Sequence, residues 1–487
     1  MPETTAILVR CMPPTRNTIS RAVVFAAFLY ALAGLQPAVA ATDGLHIDGA
    51  AIGPIWLVPF AAILAGIALG PLVAPHVWHR HYGKYAFACA LAFLVPCAAA
   101  FGSAIAVYEF IHTFTVEYVP FVVLLLALYV TAGGIRLRGA LGGTPAGNTG
   151  LLALGTLLAS IMGTTGACML LIQPLLRSNA GRARNAHVFV FFIILVGNVG
   201  GALTPLGDPP LFIGFLEGVD FFWVTRAMLL PMLFLAIPLL AIFYALDRRI
   251  AVSEPPQAPA PSEPFAIEGK RNIALLAAVV GAVLVSGIWR ADWTIEIFHT
   301  VIPGENVVRT LVLLAVAALS LAITPPAIRE ANGFDWGPMA EVAKLFIGIF
   351  ITIIPAIAIV RAGSDGALAS LVGFLDAGGH PNDMVYFWAT GVLSAFLDNA
   401  PTYLLFFNLA GGDAATLMTT LARTLLAISA GAVFMGALTY IGNAPNFMVK
   451  AMAEAKGVRM PSFFGYMGWS LAVLLPLLVL QAMVFFT

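Results

Sequence analysis

The sequence predicts an all-α polytopic membrane protein: an inverted-topology repeat of about ten transmembrane helices plus two re-entrant hairpins with broken helices. Three observations predict it. The 487 residues are 60% hydrophobic and only 10% charged, against about 25% charged in soluble domains, so the chain lacks the polar surface to face water all round. Long apolar runs are bounded by charges whose sign alternates along the chain. Finally, one polar, Gly- and Pro-broken motif occurs twice. The balance of 24 basic and 24 acidic residues, and a mean hydropathy of +0.95, leave no basic footprint for nucleic acid.

At the N-terminus, Arg10, Arg16 and Arg21 precede the apolar run 22–35, and PAVAA at 37–41 places small residues at Ala38 and Ala40. Residues 1–41 therefore read as a signal peptide, or as a short first membrane span.

The remaining apolar runs are 52–75, 85–107, 116–135, 148–176, 187–216, 221–246, 272–289, 306–325, 340–361, 383–411, 416–449 and 461–487. Each is long enough to span about 30 Å of hydrocarbon, and basic loops mark the cytoplasmic side. Arg80 with Lys84, Arg136 with Arg138, Arg248 with Arg249, Arg329 with Lys344, and Lys450 with Arg459 fall inside; Glu109 with Glu117, Glu217 with Asp220, and Asp292 with Glu296 fall outside. Two runs break the alternation. Run 148–176 lies between basic clusters at Arg136, Arg138 and at Arg177, Arg182, Arg184. Run 383–411 is flanked by acids alone: Asp365, Asp376, Asp383 and Asp413. Both are expected to be re-entrant hairpins, entering from opposite faces.

The segment 251–270, with EPPQAPAPSEP at its core, suits a cytoplasmic linker. It divides the chain into repeats at 42–250 and 271–487, each with five crossings and one hairpin. Five is odd, so the second repeat starts on the opposite face.

The repeat is visible in the residues. GALTPLGDPPLF at 201–212 matches GALTYIGNAPNF at 436–447, pairing Thr204 with Thr439, Gly207 with Gly442 and Asp208 with Asn443 at an offset of 235. The same offset lays TTGA at 164–167 on NAPT at 399–402. Irregular backbone at membrane depth is tolerated only where it is buried or lines a cavity. Four related breaks are therefore expected to converge near the bilayer midplane, where helix ends and freed carbonyls can hold an ion.

Asp208 and Asp398 are the acids placed well inside apolar segments. Each costs roughly 2.5 to 3.5 kcal/mol at a helix centre, a cost usually retained for function, although capping a helix at the break is the alternative role. A carboxylate there can exchange a proton for Na⁺ or Li⁺, and oxygens of Thr164, Thr165, Asn198, Thr204, Asn399, Thr402, Thr439 and Asn443 suit a small hard cation.

Weaker signals complete the reading. Cys11, Cys89, Cys97 and Cys168 lack metal or redox spacing and read as packing residues. His76, His79 and His81 are expected in a solvated surface loop, HVWHRHYGK. GIALG at 66–70 fits helix packing, and Arg226, Arg309 and Arg423, near the ends of apolar runs, are expected to snorkel.

GNVGGALTPLGDPPLF (197–212), FLDNAPTYLLFF (396–407) and the HYGK stretch at 81–84 together resemble the NhaD-type sodium/proton antiporters and the related citrate-transporter group of the ion transporter superfamily. The likeness covers about residues 50 to 487. It implies an inverted-repeat fold, commonly a homodimer of scaffold and transport domains with an elevator-like motion, and it points to Asp208, Asp398, Asn399, Asn198, Thr204 and Asn443 as cation or proton ligands. TTGA at 164–167 departs from the Ser-Asn-Thr tip of dicarboxylate members, which weakens a dicarboxylate reading.

The expected function is exchange of Na⁺ or Li⁺ for H⁺ by a multi-pass protein of a bacterial-type inner membrane, with no cofactor beyond the transported ions; cation-coupled transport of citrate or another anion is the alternative. An intramembrane aspartyl protease would need two apposed carboxylates, whereas the repeat partner of Asp208 is Asn443.

Overall fold

A computed structural model describes residues 35–36, 46–139, 143–254, 264–377 and 380–487. The expected signal peptide lies outside the described residues except for Leu35–Gln36, as do residues 255–263 of the linker.

Lipid offers no hydrogen-bond partners, so an apolar chain must satisfy its backbone internally, and the protein is accordingly all-α apart from short strand pairs. Among the described residues, nine helices are long and apolar enough to cross a membrane, or ten if Phe463–Val473 and Leu475–Phe485, bent by 43°, make one span. Burial sorts them into layers. Ala186–Leu203 is 89% buried and Gly337–Arg361 is 67% buried, whereas Pro54–Val73 is only 17% buried. The last presents Ile55, Leu69 and Val73 outward, as a lipid-facing helix should.

Both expected hairpins form. In the first, Pro145–Met162 is followed after Gly163 by Thr164–Ser178. Its two far ends meet, because Asn148 and Asn179 exchange side-chain amide hydrogen bonds of 3.0 and 2.9 Å. In the second, Asp383–Leu397 is followed after Asp398 by Asn399–Leu409, and the Tyr386 hydroxyl donates to the Leu409 carbonyl at 3.2 Å. Two spans are interrupted: Ala186–Leu195 passes through a 3-10 turn, Val199–Leu203, to Pro209–Leu216, and Ala422–Met435 passes through Gly436–Leu438 to Ala444–Ala455.

The structure departs from the sequence reading in three places. HVWHRHYGK is no loop: Pro75 opens a helix that runs unbroken to Phe101, because proline at a first turn loses no helical hydrogen bond and the polar residues can point outward. Nor is there a loop between Glu109 and Glu117. Ser103 to Gly133 is one helical stretch with a π turn at Thr113–Tyr118, and Glu109 is buried, accepting from the Ile47 amide at 3.0 Å. Arg309 does not snorkel; it is buried, 6.0 and 5.7 Å from the ring centres of Phe212 and Phe215. Arg226 and Arg423 are exposed, as expected.

Connections carry the strand pairs. Thr294–Ile297 pairs antiparallel with Thr300–Pro303, and Leu35–Gln36 joins its free edge. Arg136–Arg138 pairs with Ala266–Glu268, so the end of the linker is held beside the start of the first hairpin.

Candidate functional site

Local chemistry creates the breaks. Pro209 and Pro210 supply no amide hydrogens, and a proline disfavours helix in the residue before it, so Asp208 is extended at φ −141° and ψ 143°. Asn443 takes the same shape at φ −152° and ψ 140°. The chain folds tightly here: a Cβ on Gly207 would lie 2.1 Å from the Gly201 carbonyl oxygen, and one on Gly442 would lie 2.6 Å from that of Gly436.

Each break is fastened to a hairpin by a threonine. The Thr204 hydroxyl donates to the Ser160 carbonyl at 2.5 Å and accepts from the Leu206 amide at 3.1 Å. The Thr439 hydroxyl donates to the Ala395 carbonyl at 2.5 Å and accepts from the amides of Ile441 and Gly442, both at 3.2 Å. The Gly207 carbonyl in turn accepts from the Thr164 amide at 2.8 Å. Hairpin tips and broken spans are thus brought together, and the helices beginning after Gly163, Asp208, Asp398 and Asn443 start at one locus. Each such start carries a partial positive charge, but the one after Asp208 offers no free amide: Pro209 and Pro210 have none, and the Leu211 and Phe212 amides donate to the Asp208 carbonyl at 3.1 and 3.4 Å.

Asp208 sits at that locus, 1% exposed. Its Oδ1 accepts from the Thr164 hydroxyl at 3.2 Å and from Asn443 Nδ2 at 2.9 Å; its Oδ2 accepts from Asn399 Nδ2 at 2.5 Å. All three partners are neutral. Among the described residues, no Lys, Arg or His forms an ion pair with this carboxylate. The Asn399 Oδ1 is buried and has no hydrogen-bond partner there. Asn443 Nδ2 also approaches the Gly197 carbonyl at 3.1 Å and Asn198 Oδ1 at 3.3 Å; with two hydrogens for three acceptors, one oxygen beside Asp208 is left short of a donor.

Of the residues singled out from sequence, then, Asp208, Thr164, Asn399, Asn443 and Asn198 are brought together. Thr204 and Thr439 act as braces behind them. Asp398 is half-buried and caps its own helix, its Oδ1 accepting from the Ala400 amide at 3.2 Å, while its carbonyl accepts from the Thr402 hydroxyl at 2.8 Å. Thr165 is half-buried and makes no hydrogen bond to Asp208. Sequence reasoning passed over two polar residues. Ser160 receives the Leu203 amide at 3.0 Å and donates to the Gly200 carbonyl. Asn446, inside the recurring motif, is fully buried and went unnoticed because its repeat partner is Leu211.

Such an arrangement can hold one small cation or one proton: a single buried carboxylate, carbonyl and amide oxygens short of donors, and no resident counter-charge. Residues 49–486 match a protein-family model described as "Putative citrate transport". No curated protein matches the chain.

Proposed function

The chain belongs to the family described as "Putative citrate transport", and from that premise we propose that it is a secondary transporter that exchanges Na⁺ or Li⁺ for H⁺ at Asp208. One observation carries the reading: Asp208 is buried among neutral donors, with the unpartnered Asn399 Oδ1 beside it. A lone ionised carboxylate in such a place is costly, so its charge is balanced by a mobile ion. A proton can neutralise it, or a hard cation can take the carboxylate with the oxygens of Asn399 and Asn198. The two loads exclude one another, and mutual exclusion is the basis of exchange.

The repeats at 42–250 and 271–487 supply the motion in this proposal, each carrying one hairpin and one broken span, in the plasma membrane and with a homodimer as the working assembly. Because the membrane potential contributes about 2.3 kcal/mol per net charge per 100 mV, unequal exchange would be voltage-driven.

A second reading has its own support. The helix starts after Gly163, Asp398 and Asn443 at one locus favour an anion, as does the family description, so citrate or another carboxylate moving together with the cation fits the same site.

Reconstitution into proteoliposomes with an internal pH dye tests both. Collapse of a preset pH gradient on adding Na⁺ or Li⁺, lost in Asp208→Asn, is the expected result. Flux that needs citrate or succinate and ignores Na⁺ and Li⁺ alone would replace exchange by carboxylate transport.

A further inference from the structure

The two breaks share a backbone but differ in one buried side chain. At the offset of 235 that relates them, Asn446 stands where the first half has Leu211. Leu211 is buried and has nothing to donate. Asn446, in the first turn of Ala444–Ala455, reaches back across its break, and its Nδ2 donates to the Gly436 and Thr439 carbonyls, both at 2.8 Å. Both amide hydrogens are committed, which fixes the orientation of the group: nitrogen toward the break, oxygen away from it.

That oxygen sets the next residue. Asn446 Oδ1 accepts from Asn198 Nδ2 at 2.7 Å, whose other hydrogen goes to the Ile193 carbonyl at 2.9 Å. With its nitrogen fully used, Asn198 must turn its Oδ1 toward Asn443 Nδ2, 3.3 Å away, and Asn443 donates to Asp208 at 2.9 Å. Three amides therefore run from the second break through the first to the carboxylate, and their polarity is set at the Asn446 end. Reversed, Asn198 would present an NH₂ group to the site, which repels a cation.

We propose that Asn446 is a positioning residue of the Asp208 site: by holding the Gly436 and Thr439 carbonyls it forces Asn198 to face the site with oxygen, and so sets cation affinity without touching the cation. The inference rests on the cation reading of Asp208 above and names the residue that tunes it. Removing the outer partner of an ion ligand typically costs 10- to 100-fold in affinity.

The test measures the Na⁺ and Li⁺ concentrations giving half-maximal flux, and half-maximal thermal stabilisation, in wild type and four variants. Asn446→Leu copies the first-half residue; Asn446→Ser keeps one donor. Expected are a rise of about tenfold in half-saturating cation for Asn446→Leu, a smaller rise for Asn446→Ser, and a maximal rate within about twofold of wild type. Asn198→Ala should raise it similarly. If Asn446 acts through Asn198, Asn198→Ala with Asn446→Leu should be no worse than Asn198→Ala alone. Unchanged half-saturation in folded Asn446→Leu and Asn446→Ser, or effects that multiply in the double variant, would overturn the role of Asn446 and leave the cation site standing. A wild type with no Na⁺ or Li⁺ response in either readout would instead remove the cation site itself, and Asn446 with it. Should Asn446→Leu not fold, the comparison is carried by Asn446→Ser.

Discussion

Asp398 has the backbone conformation of a glycine: its φ of 81° and ψ of 138° repeat the 79° and 150° of Gly163, the residue 235 positions earlier. Both connect the arms of a hairpin. Only glycine enters this region without strain, and another residue pays roughly 1 to 3 kcal/mol. Two roles can offset that cost, the cap on the Ala400 amide and a part in ion binding.

Asp398→Gly separates the two roles. Relief of strain offsets the lost cap to the Ala400 amide, worth about 1 kcal/mol, so thermal unfolding in detergent should stay within about 1 kcal/mol of wild type. Asp398→Ala loses the cap and keeps the strain, and should unfold more easily than Asp398→Gly. Cation-dependent flux should fall in both. Unchanged flux with both variants clearly less stable than wild type would make the carboxylate a structural cap.

Thr439 should behave as a brace. Its hydroxyl is saturated, donating to Ala395 and accepting from Ile441 and Gly442. Thr439→Val leaves buried backbone groups unpaired and should cost about 1 to 3 kcal/mol of stability, while half-saturating Na⁺ stays within about twofold of wild type. A large shift in cation affinity with normal stability would return Thr439 to the set of ligands.

At the far ends of the first hairpin's arms, away from its tip, Asp247 is fully buried, 2.6 Å from Arg182 Nη1, 2.9 Å from His187 Nε2 and 2.9 Å from Asn148 Nδ2. Arg182 also meets Glu254 at 3.1 Å. Asp247→Ala leaves the buried Arg182 guanidinium to the Glu254 carboxylate and removes the acceptor of His187 and Asn148, and should destabilise by about 3 kcal/mol. Pairing it with Arg182→Met should recover part of that loss. Equal unfolding of Asp247→Ala and wild type would show the pair to be dispensable.

Outside the membrane, Glu268 accepts from Arg138 and Arg136 at 3.1 and 3.2 Å, and these hydrogen bonds and charges hold its carboxyl below the usual range. A depressed folded value means the contribution is present above the unfolded value, about 4.3, and is lost as pH falls through the folded one. Spin labels at the paired positions 137 and 267 should therefore give one short distance from pH 7 to 5 and a broadened one in stronger acid. In Glu268→Gln the broadening should already be present at pH 7; a sharp distance there would exclude the carboxylate as the clasp.

Much of this architecture is legible in the sequence because its causes are local. Apolar run length, charge at the run ends and the Gly-Pro punctuation of 201–212 and 436–447 act within a few residues, so the helices, both hairpins and the two breaks could be placed before any coordinates. The misreadings are of the same origin. HVWHRHYGK looks like a loop by polarity, but a helix tolerates polar residues on an exposed face. Glu109 looks exposed by its charge, but the Ile47 amide and His46, more than sixty positions earlier, enclose it.

The sequence by itself determined that this chain crosses a membrane, that one broken motif recurs at an offset of 235 residues, and that Asp208 and Asp398 stand at breaks. Tertiary structure alone decided which of the two is enclosed. The donors to Asp208 come from residues 44, 191 and 235 positions away, and hydrogen bonds of that range exist only once the hairpin tips and broken spans have packed together. The same packing turned Thr204 and Thr439 into braces and gave Asn446 its place at the head of the amide chain, because the direction of a side-chain amide is fixed by its partners and not by its neighbours in sequence.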